Sequence, residues 1–284
     1  AYDQNGGGGT SSTSSSSSIA NGGSFSSNSN SNNGRDSSGT NSTLDLRTIP
    51  WERYFSHPVA LTCVINAWNF GWINFMMLSE MPAYLSTELG FNVEASAILS
   101  VVPYIAMFIA VVSFAAFMEY LQFSKGLSTK LVRHTAMITA FGGASLCLLA
   151  ASYTKNITAA FSLVTLSQAS LGAFQSGQAC SYTELTPTFA PILNSVCNTF
   201  TALGGVLSPI FVAYMLESFD GSHQGWHYVF WYTVLQSVVA LALWVTFFTG
   251  EVVPELDEPK QVPLTSHAPK SLLDSVSSPS SKNM

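Results

Sequence analysis

IPWERYFSHPVALTCVINAWNFGWINFMMLSEMPAYL, residues Ile49–Leu85, is the stretch whose reading decides the fold. It opens on Pro50, Trp51 and charged residues, then stays apolar for longer than a bilayer requires. As a helix, Val59 to Leu85 rises roughly 40 Å at about 1.5 Å per residue, against a hydrocarbon core of about 30 Å. In its middle stand Asn69, Gly71 and Asn74, beside Trp68 and Trp72. Amides at bilayer depth are costly unless they face protein or a wet cavity. The stretch therefore reads as a membrane helix with a polar, glycine-softened centre, an element suited to lining a solute path.

Working outward, six apolar segments lie near 58–84, 96–121, 131–152, 157–180, 189–216 and 226–249. Each is long enough to span a bilayer, and the short connections make successive segments antiparallel neighbours. Only 9% of residues are charged, well below the roughly 25% of a soluble domain. The fold class expected is an all-α membrane protein of six transmembrane helices. Residues 1–48 are Ser/Asn/Gly-rich, with too little apolar surface to offset chain entropy, and are expected to form a disordered loop. Residues 49–250 form the bundle, and the polar tail 251–284 is expected to be disordered. The chain begins with Ala1 and holds no signal-peptide-like run, so it is expected to be part of a longer protein.

The net charge of −6 falls largely in tails and loops and points to no nucleic-acid partner. Arg35, Arg47, Arg53, Lys125, Lys130, Arg133, Lys260, Lys270 and Lys282 lie on one side of the expected topology, and only Lys155 on the other. By the positive-inside rule both termini are cytoplasmic. Cys63, Cys147, Cys180 and Cys197 sit in apolar runs without Cys-x-x-Cys spacing and read as buried free thiols. No nucleophile–base pair, metal-ligand spacing or nucleotide motif appears, so neither an enzyme, a metal nor a cofactor is expected.

IPWERYFSHPV, LSEMPAYLSTELGFN, AILSVVPYIAMFIAVV, LSTKLVR and CNTFTALGGVLSPI, in this order, resemble the second half of the anion–cation symporter family of the major facilitator superfamily. That branch holds the sodium/phosphate cotransporters, sialin and the vesicular glutamate transporters. The resemblance covers about Ile49 to Glu251. It implies that the bundle is the C-terminal six-helix half of a transporter whose N-terminal six-helix half is missing here. Pro82 and Tyr84 match a Pro-x-Tyr, Pro103 and Tyr104 a Pro-Tyr, Glu184 and Pro187 an Asp-x-x-Pro, and Asn198, Thr199 and Phe200 an Asn-Thr-Phe, followed by Gly205 and Pro209. Glu119 takes the acidic place of a gate motif, with Phe114 where its glycine is expected. Phe70 stands near where the vesicular glutamate branch carries an arginine.

A transporter of this kind binds solute near the midplane between its halves. Asn69, Trp72, Asn74, Tyr104, Gln175, Gln178 and Asn198 are the candidate path residues, supplying neutral donors and aromatic walls. Each is set against plain helix–helix hydrogen bonding, worth about 0.6 kcal/mol on average in membranes. Glu80, Glu119, Arg133 and Glu184 are the gate or ion-coupling candidates, with Glu119 pairing with Lys125, Lys130 or Arg133. The function expected is secondary active transport of a small organic or inorganic anion, driven by a proton or sodium gradient. The partners are that anion, the coupling ion, membrane lipid and the missing half, in a plasma or vacuolar/lysosomal membrane. Two alternatives stand open: a non-transporting membrane partner or remnant, and a carrier of a neutral solute.

Overall fold

The computed structural model describes residues 49, 51–219 and 223–258. The expectations for residues 1–48 and 259–284 lie outside the described residues. Six long helices follow one another: α2 Pro58–Thr87, α3 Val93–Ser124, α4 Thr129–Tyr153, α5 Ile157–Leu185, α6 Ala190–Ser218 and α7 His223–Phe247. Two one-turn helices flank them, α1 Trp51–Tyr54 and α8 Pro254–Asp257. These are the six segments expected from sequence, with ends moved by at most five residues. No strand occurs among the described residues.

Local sequence sets the helix starts. His57 accepts from Val59 N through Nδ1, and Pro58 begins α2, where its missing N–H costs nothing. Asn92, Ser128 and Asn156 accept from Ala95, Leu131 and Ala159 at the starts of α3, α4 and α5. Pro103 accounts for the one-turn interruption of α3 at Ser100–Val101. Wider π-helical turns interrupt α4 at Ile138–Gly143 and α5 at Gln175–Ala179.

Helices α3 to α7 are each long and apolar enough to cross a membrane. The first long helix, α2, is long enough but carries Asn66, Asn69, Asn74 and Glu80. It packs on α3, α5, α6 and α7 and buries much of its length between Val59 and Leu85, while Ile65 and Leu78 stay exposed. α7 also packs on α4 and α6, and α5 packs on α3 and α4. α3 and α6 are the least covered, with large apolar side chains such as Phe108, Val112, Val206 and Ile210 exposed. The fold is that of an all-α, multi-pass membrane protein whose outer faces are apolar.

The tightest contact is the crossing of α2 and α6. A Cβ on Gly71 would stand 2.1 Å from the Thr201 carbonyl oxygen, and one on Gly204 2.7 Å from the Trp68 carbonyl oxygen. The two backbones touch there because neither glycine has a side chain. Thr201 Oγ1 donates to Ala67 O at 3.1 Å across the same crossing.

Alternation of six helices returns the chain to the end where it entered, the end bearing Arg53, Lys125, Lys130 and Arg133. There the beginning of the expected tail is folded rather than disordered. Val253 N donates to Leu185 O at 2.9 Å, and Leu256 is fully buried. Arg53 Nη1 donates to Glu255 O at 2.7 Å, Tyr54 Oη to Leu256 O at 3.3 Å, and Asp257 accepts from Thr188 N and Oγ1. Burial, with Asp257 nearby, pushes the Tyr54 phenol up to about 12, which keeps its donor proton in place. Two apolar side chains in a polar sequence thus hold residues 251–258 against α1 and the α5–α6 connection. Cys63, Cys147 and Cys197 are buried free thiols as expected, whereas Cys180 is exposed.

Candidate functional site

The polar centre of α2 faces two ways. One face forms a seam with α7. Asn66 Nδ2 donates to Ala240 O at 3.1 Å, Asn69 exchanges hydrogen bonds with Ser237 at 3.2 and 3.3 Å, and Trp72 Nε1 donates to Thr233 Oγ1 at 3.3 Å. Trp68 Nε1 donates to Gln236 Oε1 at 3.0 Å at the edge of this seam. Asn69 and Trp72, both buried, therefore have their polar atoms taken up by α7. On another side of α2, the Tyr104 hydroxyl of α3 donates to the backbone carbonyl of Asn74 at 3.4 Å, and Asn74 is half-buried.

Beside Tyr104 lies Gln168 of α5, fully buried, with its side chain against the Tyr104 hydroxyl. Its sequence signal was an amide within an apolar span, set among Ser167 and Ser170, and the sequence reading passed over it. Gln178, at the far side of the α5 π-turn, is also buried, but its Nε2 donates to Cys63 O at 2.7 Å and to the Tyr182 hydroxyl at 2.8 Å. Gln175, at the start of that turn, is half-buried. Phe70, at the position singled out for the absence of a cation, stacks on Phe174 with ring centroids 4.2 Å apart.

Asn198 is placed differently from the other candidate path amides. It is exposed on α6, on a polar face with Asn194, Ser195 and Thr199. Ser195 and Thr199 return their hydroxyls to Pro191 O and Ser195 O, while neither amide side chain has a partner among the described residues. α6 rises about 43 Å, which overhangs a core of about 30 Å by roughly 6 Å at each end. Asn198, eight residues from Ala190, is then some 12 Å along the helix and inside the hydrocarbon depth. An uncovered amide there needs water or protein, not lipid.

At the basic end, Arg133 of α4 and Glu184 of α5 form an ion pair. Nη2 donates to Oε1 at 2.5 Å, Nε lies 3.1 Å from both carboxylate oxygens, and Nη1 donates to Ser176 O at 2.7 Å. The α5 π-turn offers that carbonyl, because widening the helix releases backbone acceptors from their usual partners. The expected pairing of Glu119 with Lys125, Lys130 or Arg133 is not formed among the described residues. Glu119 is exposed at the end of α3, and among the described residues it joins no ion pair. Glu80 is half-buried toward the other end of α2, likewise without an ion pair among the described residues. At that other end Glu88 pairs with His223 Nδ1 at 2.5 Å, beside a cavity of about 810 Å³ that Lys155 and His227 also line.

Comparison with known proteins bears on this arrangement. The family model described as Major Facilitator Superfamily matches residues 122–280. The chain is 29% identical over 224 residues to "Uncharacterized transporter slc-17.2" of Caenorhabditis elegans, covering 78% of this chain and 44% of that protein. It is 27% identical over 208 residues to "Vesicular glutamate transporter 2" of Homo sapiens, covering 73% and 35%. It is 27% identical over 217 residues to "Probable anion transporter 1, chloroplastic" of Oryza sativa subsp. japonica, covering 76% and 40%. The chain thus spans less than half the length of these relatives.

Proposed function

The chain belongs to the Major Facilitator Superfamily, and we propose that it is the C-terminal half of a carrier that moves a small organic or inorganic anion across a membrane by alternating access. The complete protein would add a second helical half, and a proton or sodium gradient would drive the cycle. The observation that carries this reading is the exposed polar face of α6, with Asn198 unpartnered at a depth where lipid cannot solvate it. A water-filled path between two halves would supply what that amide lacks. The names of the similar proteins, transporters of anions where a solute is stated, support the substrate class.

Within this reading, Asn74 and Tyr104 face the path near its middle, and Gln175 and Asn198 face it nearer the basic end. Asn69, Trp72 and Gln178 hold the helices that carry it. The Arg133–Glu184 pair holds the basic end closed in one state, and Glu119, exposed beside it, meets the other half. Glu80 is a candidate coupling site. Both termini face the cytoplasm, by the charge bias of the connecting segments, in a plasma or vacuolar/lysosomal membrane.

A second reading, a carrier of a neutral solute, draws on one observation. Among the described residues no Lys or Arg stands at the depth of Asn74 and Tyr104. An anion would then take its cation from the second half.

The test is uptake by vesicles holding the complete protein, with inorganic phosphate and small carboxylates under imposed proton and sodium gradients. Gradient-dependent uptake is expected, falling about tenfold or more in Asn198→Ala with unchanged insertion, as loss of a solute-path hydrogen bond implies. Absence of uptake for every anion, with uptake of a neutral solute instead, would favour the second reading.

A further inference from the structure

A cavity and a groove share one wall on α7, at the end of the bundle away from Arg133. The cavity, of about 810 Å³, lies where the ends of α2 and α4 meet the starts of α5 and α7, and its lining includes Glu88, Lys155, His223, Gln224 and His227. The groove, of about 500 Å³, runs between α6 and α7, and its lining includes Phe211, Met215, Tyr232, Leu235 and Val238. Tyr228 lines both. The cavity carries charged side chains, whereas the groove carries none.

The groove opens outward. Tyr228, Trp231, Leu235 and Val238 recur every three or four residues and are all exposed. They stand on the opposite side of α7 from Val229, Thr233, Ser237 and Ala240, which are buried. On α6, Phe211 and Met215 fall roughly 150° round the helix from Asn194, Ser195, Asn198 and Thr199, at about 100° per residue. The groove therefore turns away from the polar face of α6 and onto the medium around the bundle, which for membrane-crossing helices is lipid. From Tyr228 to Val238 it follows α7 for about 15 Å, half of a hydrocarbon core of about 30 Å, or one leaflet. Tyr153, Tyr228 and Trp231 are exposed where the groove meets the cavity, and such rings settle at headgroup level.

The charges of the cavity are unevenly matched. Glu88, the one carboxylate in its lining, is taken up by His223 Nδ1, whereas Lys155 joins no ion pair among the described residues. Trp231 Nε1 donates to His227 Nε2 at 3.0 Å, so a neutral His227 carries its proton on Nδ1 and keeps it to donate. A free cation and an N–H donor in one cavity suit a phosphate, and no carboxylate is left over for a headgroup ammonium. We propose that cavity and groove together hold one anionic phospholipid, with its phosphate on Lys155 and an acyl chain laid past Tyr228 along the groove. The site lies on the other side of α6 from Asn198 and does not depend on which solute the carrier moves.

The test is thermal unfolding of the complete protein in detergent, with phosphatidylglycerol, phosphatidylcholine or inorganic phosphate added. Phosphatidylglycerol is expected to raise Tm by about 3 °C, and the other two by less than about 1 °C, as a ligand that saturates only the folded state does. Lys155 is exposed, so Lys155→Gln should keep the lipid-free Tm and lose the increment, while Lys155→Arg retains it. Val238→Phe fills the groove from its exposed side and should also lose the increment, with the cavity untouched. Equal increments from the two phospholipids, or an increment that survives either Lys155→Gln or Val238→Phe, overturns the proposal. A full increment from inorganic phosphate alone would make the cavity a small-anion site and overturns it as well.

Discussion

Gly71→Ala is expected to destabilise the bundle by about 3 kcal/mol or more, at the upper end of what overpacking costs. The added methyl would sit 2.1 Å from the Thr201 carbonyl oxygen and 2.7 Å from its carbon. Both belong to backbone, so no side chain can rotate away and α2 and α6 must separate. Separation also stretches the Thr201–Ala67 hydrogen bond and opens the contact of Gly204 with Trp68. Gly204→Ala strikes the same crossing from the other side, 2.7 Å from the Trp68 oxygen. The double variant should therefore lose less than the sum of the two, since the helices part only once. Gly142→Ala is the control: its methyl meets only the Ile138 side chain, at 3.8 Å, and should change stability by less than about 0.5 kcal/mol. Thermal unfolding of the purified variants in one detergent reads all four.

Breaking the Arg133–Glu184 pair from either side should cost about 3–5 kcal/mol, because the remaining charge stays buried without its partner. The side chains are 10% and 22% exposed, which leaves little water to take over. Arg133→Lys should not rescue. The guanidinium spends Nε and Nη2 on the carboxylate and Nη1 on Ser176 O, a fork that an ammonium cannot reproduce. Arg133→Met with Glu184→Leu together should recover most of the loss, as apolar replacements of buried pairs do. Stability and transport then separate. If the pair holds one state of an alternating cycle, the double variant is stable and its uptake rate is altered. If it only packs the end of the bundle, the double variant is stable and its rate is unchanged.

The long helices were legible as apolar runs, five of them with a cap or a proline at the start: Pro58, Asn92, Ser128, Asn156 and Pro191 all stand at or beside the starts. Hydrophobicity fixes length, and short connections fix which helices run antiparallel. What could not be read was rotation. Asn66, Asn69 and Asn74 share one helix, and only its turn about its own axis sets the first two against α7 while Asn74 stays clear of that seam. The same holds for Arg133, whose partner is fifty-one residues away on α5 rather than the nearer Glu119. In a membrane helix that is apolar all round, no hydrophobic stripe reports the buried side. Residues 251–258 escaped for another reason. Val253 and Leu256 are too few to mark a folded segment, and they dock only because α1 and the α5–α6 connection leave a place for them.

The central claim is that the polar face of α6 opens on water rather than lipid. The direct test is the reaction of Asn198→Cys with a charged, membrane-impermeant thiol reagent, in the complete protein carrying Cys180→Ser to remove the exposed native thiol. Leu207→Cys, exposed on the apolar length of the same helix, is the comparison. The account predicts that the thiol at 198 reacts about tenfold faster or more, since both thiolate and reagent need water. Equal and negligible reaction at the two positions would place Asn198 against lipid or packed protein, and the solute path would not run along α6.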